Sequence, residues 1–115
     1  MNVHIFLQYD NNTNSYFTNK IRVIGHHKNP TVCTAVSTLM QMVGLEFMSR
    51  GHDAFNRNYE EHSSNDDVEM TVEYEFHDHL SLLLTLVEHS LQELAKQYGG
   101  MTIERFKYGN ETYVQ

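Results

Sequence analysis

The sequence is short of cysteine, proline, tryptophan and basic residues. It has one cysteine, one proline and no tryptophan in 115 residues. One cysteine cannot form an internal disulfide and no stretch resembles a signal peptide, so we expect a reducing, cytoplasmic location. Eight Lys and Arg stand against 15 Asp and Glu, and this net charge of -7 argues against nucleic acid as a direct partner. No apolar run approaches the roughly 18 residues of a membrane span, so we expect no membrane association.

Four segments have the patterns of β-strands. Apolar residues alternate with polar ones over residues 3–9, and turn formers then lead into a second extended segment at 16–25, which predicts an antiparallel hairpin. Strict alternation over 68–76 is the clearest strand signal. A last strand covers 101–108, where the apolar parity changes between Ile103 and Phe106 and indicates a bulge or a sheet edge.

Two helices separate these strands. Asn29 and Pro30 suit the N-cap and first position of a helix whose apolar stripe extends to Phe47. Asp78 suits the cap of a second helix, which Gly99 and Gly100 end. The polar residues 52–67 between the first helix and the third strand predict a long loop.

The element order β-β-α-β-α-β predicts a single α+β domain over residues 1–115. We expect a two-layer sandwich, with two helices on one face of a mainly antiparallel four-stranded sheet. The length and the 40% apolar content suit one core and leave no room for two.

The segment 25–33 has the sharpest chemical signal, because a strand end delivers histidines beside a helix start that carries the only thiol. Unpaired amides and the helix dipole at the first turn favour an anionic Cys33 sulfur. His26 or His27 can take the thiol proton, and the same free amides can bind an oxyanion. A small cysteine at the start of a buried helix is also common packing, so spacing alone leaves both interpretations open.

The residues Gly25-His26 at a hairpin end, followed by Val-Cys-Thr-Ala-Val-Ser at 32–37, resemble the Prp family of ribosomal-processing cysteine proteases. The resemblance extends over nearly the whole chain. It implies His26 as general base and Cys33 as nucleophile, with Ser37 beside the thiol. We expect Ser37, His27 and Thr34 to contribute to substrate binding.

The resemblance also implies a function. Members of the family form homodimers and remove a short N-terminal extension from a ribosomal protein, cutting after an aromatic residue, and the same activity processes some phage capsid proteins. A protein or peptide substrate is therefore expected, with no cofactor and no metal. The acidic chain suits a basic protein substrate.

Two departures from the family pattern favour an alternative. Only six residues separate His26 from Cys33, where the family has a longer loop, and Pro30 stands where the family prefers an acidic residue. A non-catalytic binding module on the same fold, from a phage or mobile element, is the runner-up. A third class is a metal-binding regulator built on the eight histidines, although the cluster at 77–79 better suits structural or solvated roles.

Overall fold

The computed structural model describes the main chain of residues 1–50, 57–64, 67–74, 78 and 81–108. Within these ranges the elements are β1 (Asn2–Asp10), β2 (Ser15–Ile24), α1 (Pro30–Arg50), β3 (Arg57–Ser64), β4 (Asp67–Tyr74), α2 (Ser81–Tyr98) and β5 (Thr102–Tyr108). The predicted α+β fold is confirmed, with its order β-β-α-β-α-β. One further strand, β3, precedes the third predicted strand.

The described strands form one sheet in the order β3-β4-β2-β1-β5. β1 pairs with β2, β2 with β4 and β4 with β3, all antiparallel, so the sheet is mainly antiparallel as predicted. β5 pairs with β1 in parallel. The β1–β2 hairpin is confirmed and contains a register shift between Phe6 and Leu7.

The strand β3 corrects the prediction of a loop over residues 52–67. Residues 57–64 pair with β4 in continuous register, from Arg57 opposite Tyr74 to Ser64 opposite Asp67. An edge strand needs main-chain hydrogen bonds to a single neighbour, so it forms without an alternating apolar pattern. Residues 52–56 and 65–66 of the predicted loop, and 75–76 of the predicted strand, lie outside the described residues.

The parity change in β5 has a side-chain cause. The register with β1 is continuous, Ile103 opposite Val3, Arg105 opposite Ile5 and Phe106 opposite Phe6, so β5 is an edge strand without a bulge. Arg105 faces the helices, like its register partner Ile5. A charged residue is tolerated there because its Nε lies 3.2 Å from the carboxylate of Glu88 on α2.

The start of α2 uses the main chain of Asp78. The Asp78 carbonyl accepts hydrogen bonds from the Ser81 N–H at 3.1 Å and from the Ser81 hydroxyl at 2.7 Å. One carboxylate oxygen of Asp78 accepts the Tyr74 hydroxyl at 2.7 Å. The helix therefore begins three residues after Asp78.

The core lies between the helices and one face of the sheet. The fully buried apolar side chains among the described residues come from β1, β2, β4, α1 and α2: Val3, Ile5, Ile21, Val32, Val36, Met40, Val72, Leu84 and Leu91. Both helices thus cover the same sheet face, as expected. No helix in the described part of the chain is long and apolar enough to cross a membrane.

Candidate active site

The loop between β2 and α1 carries both candidate histidines. Gly25 ends β2 with a φ of 87°, a left-handed conformation that favours glycine, and its N–H donates to the Val68 carbonyl at 2.8 Å. This bond fixes the point at which the chain leaves the sheet. His26 is exposed and His27 is half-buried immediately after it.

Asn29 caps α1 as predicted. Its Oδ1 accepts the Thr31 N–H at 2.9 Å, and its carbonyl accepts the Val32 and Cys33 N–H groups at 3.0 and 3.2 Å. The sequence had suggested that the free amides of this first turn bind an oxyanion. That expectation is wrong for residues 31–33, because Asn29 already accepts their hydrogen bonds.

The Cys33 thiol is partly buried and contacts the main chain of His27. The His27 N–H donates to Sγ at 3.1 Å, and the thiol donates to the His27 carbonyl at 3.2 Å. Among the described residues, both hydrogen bonds of Sγ thus join it to one peptide segment of the loop, and neither involves an imidazole ring. The main chain of the loop therefore holds Sγ from one side.

A small pocket of about 60 Å³ brings together three of the predicted site residues, His26, Cys33 and Ser37. Cys33 and Ser37 share it because they are one helical turn apart on α1. The remaining lining is mostly apolar: Met1, Val23, Gly25, Val36, Val68 and Met70. Thr34, next to Cys33 in sequence, is exposed and lies at a separate shallow depression with Pro30, Thr31 and Ala35.

The ring of His27 is engaged away from the thiol. Its Nδ1 accepts the Asn29 N–H at 2.9 Å, so Nε2 carries the proton and donates to the Gly99 carbonyl at 2.7 Å. With both nitrogens bonded, this ring has no lone pair available for the thiol proton. Of the two histidines that the sequence left as rivals, His26 is the one that lines the pocket.

The histidine cluster at 77–79 bears on the metal-binding alternative. His77 and His79 lie outside the described residues, so the prediction for this segment stays a prediction. Within the described part of the chain, no group of three or more His, Cys, Asp or Glu side chains is arranged to hold a metal ion.

Comparison with known proteins gives the fold a name. No family model and no curated protein matches the sequence. Among solved structures, the essential ribosomal processing protease Prp from S. aureus, with a covalently linked product peptide, matches at 11% identity and a TM-score of 0.59, over 90% of this chain and 98% of that chain. The chain has the Prp fold.

Two further structures agree with this assignment. Prp from S. aureus with a substrate peptide matches at 10% identity and a TM-score of 0.60, over 92% of this chain and 99% of that chain. The protein SMU.848 from Streptococcus mutans matches at 14% identity and a TM-score of 0.66, over 94% of this chain and 100% of that chain. At these identities the likeness establishes the Prp-like fold and leaves activity and substrate to be argued from the site.

The site contains features that the sequence pattern had missed. The anchor of His27 on Gly99 joins residues 72 positions apart, and Met1 and Val68 reach the thiol pocket from two different strand ends. The pair Gly99-Gly100 signalled only the end of a helix. No local sequence pattern indicates which distant side chain hydrogen-bonds to such a helix end.

Proposed function

We propose that this protein is a cysteine endopeptidase resembling Prp. Cys33 is the nucleophile, His26 is the general base, and the substrate is a short N-terminal extension of a ribosomal protein or a phage structural protein. The observation that carries the proposal is the shared pocket of His26, Cys33 and Ser37 at the start of α1, in a chain with the Prp fold.

The proposed reaction is an acyl transfer to sulfur. The Cys33 thiol turns from the His27 carbonyl toward His26, which takes its proton as the Sγ–C bond forms and the peptide carbonyl oxygen gains the electron pair. The C–N bond then breaks and His26 returns the proton to the leaving amine. Water, deprotonated by His26, releases the acyl group and regenerates the thiol.

The charge of the chain and its likeness to Prp support the proposed substrate class. The pocket beside Cys33 is mostly apolar. The chain has a net charge of -7. Prp from S. aureus has been crystallised with a substrate peptide. A basic protein chain with an aromatic residue before the scissile bond suits this acidic molecule, and a ribosomal or phage structural protein in the cytoplasm fits that description.

Peptide cleavage tests this proposal. Incubation with basic peptides that contain one aromatic residue should give a single cut after that residue. Cys33→Ala should abolish cleavage, and His26→Ala should slow it by about 100-fold or more, because it removes the general base. Mass spectrometry of the products gives the cleavage site and the rate.

His89→Ala is the matched control, since His89 is an exposed histidine on α2 that does not line the thiol pocket. It should cleave at the wild-type rate. A wild-type protein that cuts none of the peptides, with a thiol that resists alkylation at neutral pH, contradicts the protease proposal.

A binding module on the Prp fold is the second candidate. The observation that favours it is the pair of hydrogen bonds that hold Sγ on the His27 main chain, neither of which involves an imidazole ring. Pull-down assays with ribosomal and capsid proteins separate the two. Retention of a partner by Cys33→Ala and His26→Ala, with no cleavage by wild type, favours the module, whereas cleavage by wild type contradicts it.

We also propose that the molecule is a homodimer. Four large apolar side chains on α1 and α2 are exposed by more than half of their surface: Met42, Leu45, Leu82 and Leu86. Two of them, Met42 and Leu86, line a groove of about 270 Å³ between the two helices. A second copy of this face would remove them from water, which is the main driving force for association.

A further inference from the structure

The imidazole of His27 joins the β2–α1 loop to the C-terminal end of α2. On one side Nδ1 accepts the Asn29 N–H at 2.9 Å, and on the other Nε2–H donates to the Gly99 carbonyl at 2.7 Å. The free carbonyls at a helix C-terminus carry partial negative charge, so this end of α2 attracts an N–H donor. The ring therefore bridges two elements that are far apart in sequence.

The end of α2 is shaped to receive this ring. Gly99 and Gly100 have φ angles of 64° and 68°, in the left-handed region. A Cβ on Gly100 would lie 2.7 Å from Nε2 of His27, closer than such atoms approach, whereas a Cβ on Gly99 would meet nothing within 4 Å. The second glycine thus makes room for the imidazole as well as for the turn.

The main chain of the same residue contacts the candidate nucleophile. The N–H and the carbonyl of His27 lie 3.1 and 3.2 Å from Cys33 Sγ. We propose that His27 is a positioning residue, whose ring, anchored on the end of α2, holds its own peptide N–H against the sulfur of Cys33. The proposal rests on the proposed function of Cys33 as nucleophile.

The hydrogen bond from the His27 N–H to Sγ becomes stronger when the thiol ionises. An N–H that donates to a thiolate makes a charge-assisted bond, while the S–H bond to a carbonyl that is lost on ionisation involves a weak donor. Asn29 accepts the amides of residues 31–33 at the start of α1. In the described structure, the His27 N–H is therefore the main-chain donor placed on the sulfur.

Two substitutions of His27 separate its two hydrogen bonds. His27→Asn keeps an acceptor at the position of Nδ1 but is too short to reach Gly99. His27→Gln extends an amide donor to the position of Nε2 and so keeps the anchor. The rate of Cys33 alkylation by iodoacetamide at neutral pH should fall about tenfold in His27→Asn and stay within about threefold of wild type in His27→Gln.

A pair of glycine variants tests the same anchor from α2. Gly99→Ala and Gly100→Ala introduce the same strain at similar positive φ angles, but only the second places a methyl group against the His27 ring. Gly100→Ala should alkylate about tenfold more slowly than Gly99→Ala. Thermal unfolding of each variant shows whether the differences follow stability.

The outcomes separate this proposal from the proposed function. Wild-type alkylation rates in His27→Asn and Gly100→Ala overturn the positioning role, even if peptides are cleaved. Equal losses in each matched pair, in proportion to stability, overturn it as well. The predicted alkylation pattern in a protein that cleaves no peptide supports the positioning role and contradicts the protease.

Discussion

Glu88 is a carboxylate inside the core layer between α2 and the sheet. It is 5% exposed, and it accepts the Thr18 hydroxyl on β2 at 2.8 Å while the Arg105 Nε on β5 lies 3.2 Å away. A buried charge without partners is strongly destabilising, so these two donors are what make its position tolerable. One side chain thereby ties α2 to two strands.

Thr18→Val should destabilise the protein by about 2 kcal/mol, because it removes a hydrogen bond to a charged group and leaves an oxygen of Glu88 without that donor. Valine keeps the branched shape of threonine at a site that is 2% exposed, so little packing changes. Urea unfolding followed by circular dichroism measures the difference in the free energy of unfolding.

Thr71→Val is its control. Thr71 is also buried on a strand, but it pairs with Arg22 on the opposite face of the sheet from Glu88. The same chemical change there should cost about 0.5 kcal/mol or less. Equal losses for the two valine variants would show that the Glu88 network contributes nothing specific.

The first turn of α1 illustrates how one helix start sets the geometry of the site. Asn29 accepts three N–H groups through its side chain and its carbonyl, and its own N–H donates to the His27 ring. Pro30 at the first helical position has no N–H to satisfy. The cap therefore fixes both the direction of the helix that carries Cys33 and the orientation of the neighbouring imidazole.

Asn29→Ala should lower the free energy of unfolding by about 1 kcal/mol, because the Thr31 N–H loses its side-chain acceptor. Asn29→Asp, which keeps an oxygen at the same position, should retain wild-type stability. Thermal and urea unfolding of both variants check this prediction. A stable Asn29→Ala protein would show that the Oδ1 bond at 2.9 Å is not a stabilising cap.

The outward face of α1 and α2 bears on the state of the whole molecule. Met42 is 59% and Leu86 60% exposed, on either side of one groove between the helices. The net charge of -7 opposes association, so the apolar face must overcome that repulsion for two copies to pair.

Leu86→Lys should convert a dimer into a monomer, because it places a charge in the centre of the proposed interface. Tyr98→Lys, at an exposed aromatic outside the groove, should leave the assembly unchanged. Sedimentation equilibrium at several protein concentrations reports the mass. A wild-type monomer at all concentrations contradicts the homodimer proposal.

The periodic signals of the sequence were enough for most of the fold. Alternation in 68–76 and the helical stripe that ends at Phe47 report which residues one buried face requires, and both elements formed where predicted within the described residues. The sequence analysis did not predict β3, because an edge strand forms without alternation of apolar and polar residues. The alternation of apolar residues in β5 was ambiguous because Arg105, a charged residue, occupies a position that faces the helices.

The sequence by itself determined the two layers, the hairpin, the Asn29 cap and the placement of one thiol at a helix start, since each depends on residues close together in the chain. Only the tertiary structure decided which histidine lines the thiol pocket. That choice depends on Gly99 and Gly100, 72 and 73 residues beyond His27, whose helix end binds one imidazole and thereby leaves the pocket to His26. A contact between residues so far apart in sequence leaves no local sequence pattern from which it could be predicted.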